Sequence, residues 1–172
     1  MNIQKKKSPA HAVALAAMMA ALALIFSYIE AIIPINFGIP GVKLGVANLV
    51  ILTCLYILGM RYALTINILR ILVAGLLFNG FFGAMYSLAG GILSLVIMYL
   101  LKKTGLFSTV GISMAGGVAH NLGQLITAAL IVSNLKLFYY FPVLLFSGII
   151  SGIFIGILTH LILKKLPKQF YN

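Results

Sequence analysis

Apolar residues run along the chain in long blocks, broken by short clusters of lysine, proline, glycine and asparagine. A helix needs about 20 apolar residues to cross the hydrocarbon core of a bilayer, and the blocks approach that length. The first opens after Lys5, Lys6 and Lys7 and predicts a helix over 10–33. It is too long for the apolar core of a signal peptide and reads as a retained helix. Pro34, Gly38, Pro40 and Gly41 end it, since proline lacks the N–H that a helix interior uses and glycine weakens a helix entropically. Further spans are predicted over 44–58, 62–78, 83–101, 110–133 and 141–163, the last two separated by Asn134, Leu135 and Lys136. Asn79 to Gly83 is expected as a turn. The expected fold is an all-α integral membrane bundle: a single transmembrane domain over 1–172 with six transmembrane helices.

Composition narrows the picture. The hydrophobic set makes up 63% of the 172 residues and charged residues 8%, where soluble domains carry about 45–50% and about 25%. A soluble globular domain is excluded. Six spans use about 120 positions and leave about 50 for tails and short loops, too few for a separate aqueous domain. Twelve cations face one acid, Glu30, giving a net charge of +11. The cations stand singly or in twos and threes between apolar runs, so they read as topology signals and not as a stripe that tracks phosphates; no nucleic-acid partner is expected.

Placing the amino terminus inside puts Lys5, Lys6, Lys7, Arg61, Lys102, Lys103, Lys164, Lys165 and Lys168 on the cytoplasmic side, against Lys43 and Lys136 opposite. Lysine and arginine in short loops stay cytoplasmic, so both termini are expected there. Tyr139, Tyr140 and Phe141 fit an aromatic belt at the outer interface. The single cysteine, Cys54, excludes an intrachain disulfide and a thiolate cluster.

The remaining cation, Arg70, falls in the middle of the third span, where inserting a guanidinium costs about 2.5–3.5 kcal/mol. It needs a partner or a wet cavity. One reading pairs it with Glu30 near the outer end of the first helix; the other turns it into an outward-open cavity, where it neutralises an anionic ligand group. The fifth span carries His120, Asn121 and Gln124 at helical spacings that share one face. Polar groups cannot face lipid unsatisfied, so this face points into the bundle, for interhelical bonding or for ligand contact. His120 stands without a second His, Asp or Cys nearby, so no metal site is expected. Lys43 and Asn48 are expected in the outer turns of the second helix, whose free N–H groups and positive dipole end suit an anion. Asn79 is a candidate for the cavity mouth. Along the first helix, Ala12, Ala16 and Ala20 have the spacing that lets two membrane helices approach closely, either a partner or a neighbour in the bundle.

No catalytic apparatus is visible: no Asp-rich diphosphate and magnesium motif, no Walker A loop, no nucleophile elbow, and one acid for all acid–base roles. The chain is expected not to be an enzyme, to need no cofactor, and to hydrolyse no ATP itself.

Three stretches, Gly41-Val42-Lys43-Leu44-Gly45-Val46-Ala47-Asn48-Leu49, Gly83-Ala84-Met85-Tyr86-Ser87-Leu88-Ala89-Gly90-Gly91 and Gly117-Val118-Ala119-His120-Asn121-Leu122-Gly123-Gln124, resemble the bacterial membrane proteins called heptaprenyl diphosphate synthase component I or Gx transporters. That family in turn is similar to the substrate-binding S components of energy-coupling-factor (ECF) transporters. The resemblance implies a multi-pass protein of the bacterial cytoplasmic membrane, taking up a small metabolite such as a vitamin or an isoprenoid or quinone precursor; because Lys43, Arg70 and His120 outnumber Glu30, that metabolite is expected to carry a carboxylate, phosphate or diphosphate. It implies a pocket collecting Glu30, Lys43, Asn48, Arg70, His120 and Gln124. It also implies docking through Ala12, Ala16 and Ala20 onto a transmembrane coupling subunit served by two ATPases. The alternative is a non-transporting membrane accessory of prenyl diphosphate or quinone metabolism, or of extracellular electron transfer.

Overall fold

In a computed structural model, which describes residues 9–33 and 45–167, the chain forms six α-helices. They are α1 (Pro9–Ile32), α2 (Val46–Ile57), α3 (Met60–Ala74), α4 (Gly80–Thr104), α5 (Thr109–Val132) and α6 (Phe141–Lys165). A π-helical turn, Gly75–Asn79, joins α3 to α4, and a 3-10 segment, Leu135–Tyr140, leads into α6. Among the described residues there is no strand. The all-helical expectation therefore holds, with helix limits within about four residues of those read from the apolar runs.

Four stretches are long and apolar enough to cross a membrane: Ala10–Ile32, Met60–Thr104, Thr109–Val132 and Leu135–Lys165. The second contains both α3 and α4, folded back on each other. The fold-back is tighter than the turn expected over Asn79 to Gly83. Gly80 takes φ +67°, a left-handed conformation open to glycine, and α4 starts there, so Phe81, Phe82 and Gly83 are already helical. Gly75 meets Ala84, and Gly91 meets Asn67 and Ile71, which makes the pair antiparallel.

The helix α2 differs from the rest. Its 12 residues span about 18 Å, short of the roughly 30 Å of a hydrocarbon core. Nine of the 12 are buried, because the helix sits inside the bundle with apolar residues on every side. Ile51, Leu52 and Leu55 are fully buried and anchor a core that takes Ala23 from α1, Ile66 from α3, Leu95 from α4, Ile112 from α5 and Ile155 from α6. The outer surface is apolar as well: Leu76, Phe81, Leu130 and Phe146 are all exposed. An apolar exterior around an apolar core is the arrangement that lipid, and not water, accommodates.

The remaining packing is made by glycine. On α6, Gly148, Gly152 and Gly156 recur every four residues along one face, against Val118, Met114 and Val110 of α5. On α4, Gly90 receives the backbone of α5 at His120, and Gly123 of α5 meets Gly90 in return. The backbones of α4, α5 and α6 thus touch with no side chain between them, the approach that small residues permit in a membrane.

A candidate anion-binding cavity around Arg70

The inward face of α3 is Ala63, Ile66, Asn67, Arg70, Ile71 and Ala74, a three-and-four spacing that carries a polar pair into the core. Arg70 is only 9% exposed. Its Nε donates to Asn67 Oδ1 at 3.1 Å, three residues back on the same helix. Nη2 donates to Asn48 Oδ1 of α2 at 2.9 Å, and Nη1 makes a long contact of 3.5 Å to Ser27 Oγ of α1. Ser27 donates its own proton to Ala23 O at 2.9 Å, which leaves its lone pairs for the guanidinium. Three neutral oxygens from three helices therefore hold the group. A guanidinium has five N–H donors, so about two are left over.

Glu30 has a different task from the one expected. Its Oε1 accepts from Val46 N at 3.0 Å and its Oε2 from Ala47 N at 3.5 Å, so it caps the first turn of α2. Gly45, at φ +72°, precedes that turn and offers no side-chain cap of its own. A carboxylate at the positive end of a buried helix dipole is stabilised there. The pairing of Arg70 with Glu30 is thus replaced by two separate arrangements: the guanidinium on amide and hydroxyl oxygens, the carboxylate on backbone N–H groups. The amino terminus of α2, expected to be free for a ligand, is taken by Glu30.

The opposite wall comes from α4, α5 and α6. Gly90 packs closely against His120 and Gln124, where a Cβ would lie 2.6 Å from His120 O and 2.9 Å from Gln124 Cγ, and Asn121 Nδ2 donates to Leu144 O of α6 at 2.7 Å. Between the two walls lies a cavity of about 80 Å³. A water needs about 10–15 Å³ of such space, so the cavity has room for about five to eight water-sized groups. Glu30, Asn48, Arg70, Asn79, His120, Asn121 and Gln124 all line it. Lys43 lies outside the described residues.

The family model for heptaprenyl diphosphate synthase component I matches residues 19–162. The chain belongs to that family. No curated protein and no solved structure matches it. In this member of the heptaprenyl diphosphate synthase component I family, the matched stretch takes in both walls of the cavity, from Ser27 on α1 to Ile155 on α6.

Several residues of the site are not singled out by the sequence. Asn67 and Ser27, which hold Arg70, look like ordinary polar residues of apolar helices. Ser87, Ser94, Ser113 and Ser151 also line the cavity, and each is a lone serine in an apolar run. The four-residue spacing of Gly148, Gly152 and Gly156 was a usable signal, the same small-residue pattern read on α1. On α1 the alanines fall on two sides of the helix. Ala16 and Ala20 pack against the protein's own core, beside buried Met19 and Ala23, and Ala12 is half-buried. All three remain partly exposed. Ala10, Ala14, Ala17 and Ala21 occupy the exposed side.

Proposed function

We propose that the chain is the ligand-binding membrane subunit of an uptake system for a small anionic metabolite. It resembles the S components of ECF transporters, works with a separate transmembrane coupling subunit and two ATPases, and is not itself an enzyme. All six helices then cross or enter the bacterial cytoplasmic membrane with both termini inside, as the cation bias directs. The observation that carries the reading is the buried guanidinium of Arg70. It stands on a cavity wall, is held by neutral oxygens, and keeps donors in reserve, while the one acid nearby is engaged by α2. A charge of that kind, in a site too polar for lipid and large enough for several water-sized groups, suits an anionic guest.

The test is native mass spectrometry of the protein extracted from its host membrane, with Arg70→Gln beside it. Expected are a coupling subunit, two ATPases and a small anion that Arg70→Gln loses. The family description favours a second reading, an accessory of a prenyl diphosphate synthase. A prenyl synthase or a bound prenyl lipid in the spectrum, with no ATPases, would establish that reading instead.

A further inference from the structure

The balance of charge on the cavity wall carries the ligand's chemistry one step further. Among the described residues, Arg70 and Glu30 are the charged groups that line it, with His120 the one other titratable side chain. The positive end of α2 adds about half a charge, and Glu30 lies directly on it. An incoming group with one negative charge takes the two spare donors of Arg70 and leaves the wall about half a charge negative, whereas a second charge would leave it more negative still. A phosphate ester carries about −1.5 to −2 at pH 7, and its second charge would face the Glu30 carboxylate with no further cation among the described residues of the wall. A neutral ligand would leave the spare N–H groups unmet in a site that is 91% removed from solvent at Arg70, since that residue is 9% exposed.

We propose that the cavity selects a monocarboxylate over phosphates and diphosphates, and that Glu30 sets this preference by acting as a fixed anion at the amino terminus of α2. This rests on the anion-binding reading above. Geometry agrees with charge: a guanidinium fork fits a planar carboxylate through two parallel hydrogen bonds. Glu30 is therefore a specificity residue and not a ligand contact. It fills the place at Val46 N and Ala47 N that a second phosphate charge would otherwise take.

The experiment uses the detergent-solubilised full chain and two probes with the same body, butyrate and butyl phosphate, with inorganic diphosphate as a third. Binding is read as thermal stabilisation across a concentration series. The wild type should prefer butyrate by about tenfold or more, because an extra charge within several ångströms of a carboxylate in a low-dielectric site is strongly disfavoured. Glu30→Gln, which keeps one amide oxygen for the α2 cap, should erase or reverse the preference, and Glu30→Asp should restore it. If the wild type binds butyl phosphate or diphosphate as well as butyrate, and Arg70→Gln removes both, the carboxylate preference is overturned while the anion site stands. If no probe binds, or Arg70→Gln leaves affinity unaltered, the anion site itself falls and the preference with it. Should Glu30→Gln fail to fold, the wild-type comparison decides the carboxylate preference, and Glu30→Ala, scored by the same ratio of butyrate to butyl phosphate binding, decides whether Glu30 sets it.

Discussion

The two halves of the bundle are built on opposite principles. In α4, α5 and α6, backbones meet through Gly90, Gly117, Gly123, Gly148, Gly152 and Gly156, and a methyl group added at several of these would strike backbone atoms. In α1, α2 and α3 the contacts are made by side chains, and polar groups are threaded among them: Ser27, Glu30, Asn48, Asn67 and Arg70. The first half gives a closely packed wall whose polar groups are the serines of α4, α5 and α6 and the His120, Asn121 and Gln124 face of α5, with no charged side chain among its lining residues. The second gives the charge, at the cost of burying it. A cavity between the two halves can thus hold a charged guest without the polar groups loosening the whole bundle.

The sharpest way to break the comparison is to remove the charge from the softer half. Arg70→Gln should abolish anion binding, a loss of about 2–5 kcal/mol as for other truncated buried charge contacts. Because its partners are neutral, the variant leaves no orphaned carboxylate, and thermal unfolding should show a far smaller change than the binding measurement. A collapse in stability instead would make Arg70 a structural anchor of α1, α2 and α3.

Next in size is a methyl group placed in the stiff half. At Gly152 a Cβ would lie 2.6 Å from Met114 Cα and 2.8 Å from Ser113 O, atoms that cannot turn away. Gly152→Ala should cost about 3 kcal/mol, the upper part of the overpacking range, by separating α5 from α6. Gly111→Ala is the control, since a Cβ there meets nothing nearer than 3.6 Å and glycine has no special backbone angle to supply. Equal stability of the two variants would refute the backbone contact.

The α1 register gives a smaller effect that separates folding from assembly. Ala16→Leu enlarges a side chain already packed on the core and should cost about 1–3 kcal/mol. Ala17→Leu, on the exposed side, should leave stability within about 0.5 kcal/mol. If α1 docks on a coupling subunit, uptake by the Ala17 variant falls while its ligand affinity stays. Unchanged uptake would move the docking surface off α1.

How far these features can be read from the sequence follows from how local they are. The apolar blocks mark where helices run, because a membrane span is a property of consecutive residues. Arg70 is legible for the same reason, as a lone cation in an apolar run, and His120, Asn121 and Gln124 as one helical face. What Glu30 does is not legible. A single acid and a buried arginine invite pairing, yet the outcome depends on the amino terminus of α2 reaching the carboxylate across 16 residues of sequence. The apolar run of α2 marks the helix to within two residues at the start and one at the end, but not that nine of its 12 residues would be buried by the other helices. The serines of the cavity carry no local signal at all, and only the closing of the glycine contacts brings them to one wall.

The smallest of the expected effects concerns the other end of α2, where the same logic repeats with the sign reversed. A helix buried along most of its length cannot give its last carbonyls to water, and each unmet group in such a place costs stability. Leu58 N and Gly59 N return to Cys54 O, which leaves Leu55 O for another donor. Lys102, in the last turn of α4, supplies it: Nζ donates to Leu55 O at 3.1 Å and lies 4.8 Å from the centre of the Tyr56 ring. A carboxylate at one end of α2 and an ammonium at the other thus match both poles of its dipole. Lys102→Gln should lower stability by about 0.5–1 kcal/mol, the size of one charge at a helix end, while Lys103→Gln, one exposed residue further on, should change nothing measurable. Anion binding should be the same in both, because α2 stays seated at its Glu30 end. A loss of binding in Lys102→Gln would mean that the cavity depends on both ends of this short helix, and that the softer half moves as one body when either cap is released.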